Sequence, residues 1–210
     1  MTWFNSLPSF LSATAPLPQK DYIPTRDPRW DLVCHGVCPC CDTPILDLLS
    51  FAYTSPTHWA GSMEAFGNSF FATSLSDILC DDFCRIAQDT YIRAILCLPL
   101  EGSESPLIIG VWVHLDGEYL ERYHASFGST TQASIGPLYG TLAHDIGGNA
   151  YPLPVILHPQ NDCQRPLVQI AFEDHPLYVA QLDGLTIDQF TTLLEGYGHH
   201  LPEAMQIQSD

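Results

Sequence analysis

"TYIRAILCLPLEGSESPLIIGVWVHL", residues 90–115, holds two apolar, β-branched runs joined by "EGSES". Such runs fit a pleated, half-buried surface, and the residues between them suit a hairpin connection. Their density of large apolar side chains predicts central strands covered on at least one face. The centre of the chain is therefore read as antiparallel β.

On the C-terminal side, "DGEYLERYHASF" (116–127) places Tyr119, Leu120, Tyr123 and Phe127 at helical spacing. The Gly-rich stretch 128–152 reads as a long loop before two more strands, 153–158 and 166–172. Pro176 suits the first turn of a helix over 176–182, and Gly184 suits its stop. The last helix carries the clearest start signal. Thr186 and Gln189 form a capping box, Leu185 and Phe190 sit at staple spacing, and Phe190, Leu193, Leu194 and Tyr197 make the buried face. Beyond Gly198 the chain is expected to fray.

On the N-terminal side, "SLSDILCDDFCRIA" (74–87) reads as a helix capped by Ser74 or Ser76. Residues 54–70 are loop-like, and 42–53 fit a strand or a short helix. Residues 1–30 carry Pro8, Pro16, Pro18, Pro24 and Pro28, the pattern of an extended arm, with Trp3, Phe4, Phe10 and Trp30 favouring docking. The expected fold is α+β: a mainly antiparallel sheet with flanking helices and a small N-terminal, zinc-knuckle-like cysteine module. The boundaries are an arm at 1–30, one domain at 31–198 with the cysteine module within 34–84, and a tail at 199–210.

The chain has 210 residues, 24 acidic against 7 basic, and a formal charge of −17 with Lys20 its one lysine. A field of that sign repels nucleic acid and anionic membranes and speeds encounter with basic proteins. With 46% hydrophobic and only 15% charged residues, the composition is that of a folded domain, not a disordered polyanion. The N-terminus lacks a basic segment followed by a continuous apolar run, and no run approaches bilayer length. A cytoplasmic location follows as the expectation, and reduced thiols with it.

"CHGVCPCCD" (34–42) puts four of the eight cysteines into nine residues. Cys38 and Cys41 have the spacing of a zinc knuckle, in which a tight turn aims two thiolates at one ion. Cys40 and Cys41 are neighbours and adjacent residues point different ways, so all four clustered cysteines are not expected to ligate together. Cys80 and Cys84, at i and i+4 on the expected helix, share a face and complete the set Cys38, Cys41, Cys80 and Cys84 around a structural zinc. Cys34 or His35 can replace either of the second pair. Buried thiols without metal, or a redox switch, are the alternatives. Cys97 reads as core and Cys163 as a loop residue.

Cys38, Cys41, "DDFC" (81–84), "TYIRAILCLPL", "IIGVWVHL", "YGTLAHDIGGNAYP", "RPLVQIAFEDHPL" and "QLDGLT" together resemble a bacterial family, domain of unknown function 2199, over most of residues 38–195. Family members commonly carry a glycine directly after the knuckle and a histidine shortly beyond. Asp42 and Ile45 stand at those places here. The resemblance implies the domain and assigns no activity.

No metalloprotease, nucleophile-elbow or phosphate-loop motif is present. "HDIGG" at 144–148 can offer a base or simply a turn. "EDHP" at 173–176 can hold a carboxylate–imidazole pair or simply start a helix. Trp112 reads as core, and His199-His200 as an exposed, adventitious metal site. The expected function is a non-enzymatic, acidic protein-binding domain: an inhibitor, or an immunity protein neutralising a basic partner such as a bacterial toxin. The alternatives are a metal-dependent hydrolase using His144, Asp145 or His175, and a zinc-stabilised structural or redox-regulatory module.

Overall fold

A computed structural model of the chain describes residues 27–72, 75–146 and 152–201. The N-terminal arm up to residue 26, with Trp3, Phe4 and Phe10, the Ser74 cap, Gly147-Gly148 and the tail from 202 lie outside the described residues.

The two central runs form strands β4 (Asp89–Leu98) and β5 (Leu107–Leu115), an antiparallel hairpin running from Tyr91↔His114 to Leu98↔Leu107. Ala94, Leu96 and Leu98 alternate into the core, as period-2 side chains must. β5 is buried on both faces: Ile109, Val111 and Val113 face one apolar cluster, and Trp112 faces a second with Leu79, Cys84, Tyr91 and Ala143.

β5 continues antiparallel into β6 (Leu138–Leu142), β7 (Leu153–His158) and β8 (Leu167–Ile170). β8 then pairs in parallel with β4 through Ile95↔Leu167 and Leu96↔Val168. These five strands close on themselves as a mixed barrel, and closure removes the exposed edges an open sheet would carry. β1 (Ser50–Ala52) adds in parallel to β5; β2 (Ile78–Leu79) and β3 (Phe83–Ile86) extend from β4. The expected sheet with flanking helices is present, and closure into a barrel is the structure's addition.

Two expectations are corrected. Residues 75–87 are not a helix but the β2–β3 hairpin, in which the Cys80 N–H donates to Phe83 O at 2.7 Å. The turn residue Asp82 is held by Asn68 at 2.8 Å and Arg165 at 2.8 Å, contacts that a helix here would forfeit. Within 128–152, residues 138–142 are strand β6 rather than loop. Gly140 is a tight approach within that strand, not a turn: a Cβ there would lie 2.5 Å from His114 O.

Among the described residues four α-helices flank the barrel: α1 (Trp30–His35), α2 (Gly117–Ser126), α3 (Pro176–Asp183) and α4 (Ile187–Gly196). The α4 capping box is complete, with Thr186 accepting from Gln189 N–H at 3.2 Å and Gln189 accepting from Thr186 N–H at 2.9 Å. Phe190, Leu193 and Leu194 are buried in the core. α1 docks on α4 through Trp30 against Phe190, ring centroids 5.7 Å apart, and through an ion pair of Arg29 with Asp188. That docking brings the chain following α1 to the chain following α4.

Candidate metal centre

α1 ends at Gly36, and the chain enters a tight turn. The Cys38 N–H donates to Thr43 O at 2.8 Å, and the Asp42 N–H returns to Cys38 O at 2.8 Å. Asp42 has φ 56, in the left-handed region that Gly adopts freely and Asp or Asn tolerate better than other residues. Asp42 is thus a residue that can adopt the conformation this turn requires.

At the other end of the barrel's last helix, Gly198 has φ +83. Its N–H donates to Glu195 O at 2.9 Å, and the His199 N–H donates to Leu194 O at 3.0 Å. This pair of bonds is a Schellman stop, and it reverses the chain so that His199 faces the cysteine turn. Leu201, two residues on, is buried.

The two segments meet. Sulfur atoms of Cys38, Cys40 and Cys41 and a ring nitrogen of His199 all lie within 4.8 Å of one another. His199 Nδ1 is 3.8 Å from Cys38 Sγ and 3.6 Å from Cys41 Sγ; Cys38 and Cys40 sulfurs are 2.9 Å apart. Zinc bonds of about 2.3 Å to sulfur and about 2.0–2.1 Å to nitrogen give tetrahedral edges of roughly 3.5–3.8 Å. The two imidazole edges match that geometry. The Cys38–Cys40 edge is shorter, and of those two thiols Cys40 is exposed while Cys38 is buried. The Cys40 thiol also faces Gly198 O at 3.4 Å, and the Cys38 thiol faces His200 O at 3.3 Å.

Burial opposes ionisation of Cys38, but hydrogen bonds from Cys40, His199 and Cys41 outweigh it and hold the thiol down to about 6. The same contact with Cys38 pushes the Cys40 thiol up. The cluster therefore supplies one readily formed thiolate, two further thiols and an imidazole, a set suited to a soft, tetrahedral ion. Four protein donors leave no open coordination position, which is the pattern of a structural site.

Of the four ligands expected from sequence, Cys38 and Cys41 lie in this cluster and Cys80 and Cys84 do not. The β2–β3 hairpin explains why. Leu79 pairs with Cys84 across the hairpin, so Cys84 joins Leu79 in the outer apolar cluster, while Cys80 packs with Phe83 in the main core. Burial pushes the Cys80 thiol up and, with the charges of Cys80 and Asp77, pushes Cys84 up to about 12. Cys97 is likewise raised by burial. Cys40, which sequence reasoning left out of the ligand set, and His199, which it took for an exposed, adventitious metal site, are the other two members. Divergence of adjacent side chains holds in helices and strands, and it fails in a turn that curls around its own carbonyl. The helix stop at Gly198 is what sets His199 beside the cysteine turn.

His144 is buried in a different place. Its Nε2 accepts from the Trp112 N–H at 3.0 Å, Nδ1 faces Thr57 Oγ1 at 3.4 Å, and the ring stacks on Tyr53 at 3.7 Å. Since Thr57 donates its own proton to Ala143 O, the tautomer that fits carries its proton on Nδ1. Burial pushes this imidazole down to about 3, so it stays neutral. His175 caps α3, accepting from the Leu177 N–H at 3.1 Å, and burial lowers it too. Neither joins a metal-ligating group among the described residues. Trp112 is fully buried, its Nε1 donating to Tyr53 O at 3.2 Å.

A closed, mixed five-stranded barrel with a Cys3His cluster at its α1–α4 end defines the class. The chain belongs to the family described as uncharacterised protein conserved in bacteria, DUF2199, whose model matches residues 37–185. His199 lies beyond the matched stretch. No curated protein and no solved structure matches the chain. No helix among the described residues is long and apolar enough to cross a membrane.

Proposed function

We propose that the chain is a zinc-stabilised domain in which Cys38, Cys40, Cys41 and His199 hold one ion in a closed, structural site. The carrying observation is the convergence of four donors from two segments some 160 residues apart, among described residues that hold no other such group. The ion would pin the cysteine turn to the end of α4 and so fasten the two ends of the domain. Cobalt substitution tests this. Protein stripped of metal and titrated with Co(II) should show intense tetrahedral d–d bands with thiolate charge transfer, and His199→Ala should change the spectrum. Weak octahedral bands from the wild-type protein would count against the reading.

A second reading, an acidic cytoplasmic protein-binding domain of the inhibitor or immunity type, draws on the −17 charge and on α3. Leu177 and Ala180 bury one face of that helix, while Val179 and Leu182 leave an apolar face exposed, with Phe172 just before it. Glu173, Asp174 and Asp183 lie in the same stretch, which has no lysine or arginine. A partner with apolar anchors flanked by basic residues complements it, whereas a second copy would set acid against acid. Binding to a basic protein partner, such as a bacterial toxin, should weaken steeply with salt and be lost in Val179→Glu/Leu182→Glu. Salt-insensitive binding unaffected by the double variant would argue against this reading.

A further inference from the structure

The metal cluster is also built as an oxidation site. Two of its thiols, Cys40 and Cys41, are exposed, while Cys38 is buried beneath them. Cys41 is engaged laterally, by Thr43 Oγ1 at 3.1 Å and His199 Nδ1 at 3.6 Å. Cys40 has a sulfur as its nearest partner, Cys38 Sγ at 2.9 Å. A solvent-facing thiol with a second thiol already in contact behind it is the arrangement of a peroxide-reactive cysteine and its resolving partner. We propose that Cys40 is the site at which a hydroperoxide oxidises this protein, that Cys38 resolves it, and that the resulting disulfide ejects the metal. This deepens the zinc reading above and rests on it.

The chemistry balances within the pair. In the zinc-loaded protein both sulfurs are held as thiolates, so exposure selects between them: the Cys40 thiolate attacks the hydroperoxide, an S–O bond forms as the O–O bond breaks, and the alkoxide leaves as an alcohol after taking one proton. The Cys38 thiolate then attacks that sulfur, the S–S bond forms, and hydroxide leaves as water after taking a second proton. Two sulfurs together lose two electrons and the peroxide gains two. The ion keeps only Cys41 and His199 and departs to water. A reducing thiol reverses the step.

The consequence reaches past the cluster. Beside His199, the Tyr197 hydroxyl hydrogen-bonds to that of Tyr53, whose ring stacks on buried His144. Losing the ion removes the tie between residues 38–41 and 198–200, leaving the Schellman stop and the tyrosine pair to hold the end of α4. Backbone exchange should rise there first.

The experiment uses the full-length, zinc-loaded protein and hydrogen peroxide as probe. Zinc release is followed with a chromogenic chelator, and differential alkylation with peptide mass mapping locates the disulfide. The expected result is zinc release with a Cys38–Cys40 disulfide, Cys41, Cys34 and Cys163 still alkylatable, and reversal by dithiothreitol with added zinc. Because Cys40→Ser also removes a ligand, its readout is oxidation and not zinc release: peroxide oxidation of Cys38 and Cys41, read by mass mapping, should slow by about tenfold or more without the attacking thiol, and Cys34→Ser should leave both oxidation and zinc release unchanged. If the protein binds zinc but peroxide links Cys38 to Cys41 with Cys40 untouched, or oxidises Cys34 or Cys163 first, the oxidation site is overturned and the zinc reading stands. If the protein takes up no zinc before peroxide is added, the zinc reading falls, and the inference with it.

Discussion

Cys38 Sγ and His199 Nδ1 lie 3.8 Å apart although 161 residues separate them, and no element of secondary structure joins them directly. What holds them together is α1 docked on α4, the Asp42 turn and the Gly198 helix stop. An ion between them would couple those three features, so its removal is expected to act on the whole domain.

Chelation should therefore lower stability measurably. An ion held at a free concentration a hundredfold above its Kd contributes about 2.7 kcal/mol. At about 2–4 °C per kcal/mol for a domain of this size, the melting temperature should fall by roughly 5–10 °C. Thermal melts with and without a high-affinity chelator measure this, and unchanged melts would speak against a bound ion.

His199 and its neighbour should separate cleanly. His199→Ala removes a ligand and should weaken metal binding by about a hundredfold or more, beyond the 10–100-fold typical of losing a ligand's supporting partner. His200 meets the cluster through its backbone, at Cys38 and at Cys40, so His200→Ala should leave binding nearly unchanged. Competition titrations against a chelator of known affinity distinguish the two.

Asp42 at φ 56 makes a backbone forecast. Asp42→Gly should be neutral or mildly stabilising to the folded protein, since glycine occupies this conformation without strain. Asp42→Val should cost about 1–2 kcal/mol, the left-handed penalty for a residue with a bulky Cβ. Denaturant midpoints of the two variants give the comparison directly.

Gly140 should tolerate nothing larger. A Cβ would lie 2.5 Å from the His114 carbonyl oxygen, a backbone atom that cannot rotate away. Gly140→Ala should cost about 1–3 kcal/mol by overpacking at the β5–β6 seam. A chemical-denaturation curve within error of the wild type would contradict the barrel register.

His144 sets an acid limb. Its folded value, about 3, lies below the ordinary 6.5 of an unfolded histidine. Between those values the unfolded chain binds a proton that the folded one does not, so stability falls as pH drops from about 6.5 to about 3. Above that window its contribution is fully present. The loss is on the order of 5 kcal/mol for this group. His144→Gln removes the titration, and its stability-versus-pH curve should be shallower across that window.

Much of the fold was legible because the local signals agreed with the tertiary outcome. The Thr186–Gln189 box, Pro176 with Gly184, and the two runs around "EGSES" each point to a single element. Residues 75–87 were not legible, because apolar positions at 78–80, 83, 84 and 86 satisfy both a helical and a strand period. The decision falls to Asp82 and its distant partners Asn68 and Arg165. β6 was hidden by Gly140, whose role as a close contact is invisible without β5 beside it. The Cys3His cluster was half legible. Cys38 and Cys41 follow from spacing, whereas Cys40 depends on the turn's curvature, and His199 on a helix stop whose direction only the folded chain reveals.

The most direct test of the zinc reading is metal content, measured on untagged protein purified without chelator, together with the pattern of alkylation of its eight cysteines. The expected result is one zinc per chain, with Cys38, Cys40 and Cys41 protected and exposed Cys34 and Cys163 reactive. Protein free of metal, with Cys40 and Cys41 alkylated as fast as Cys34, would contradict it.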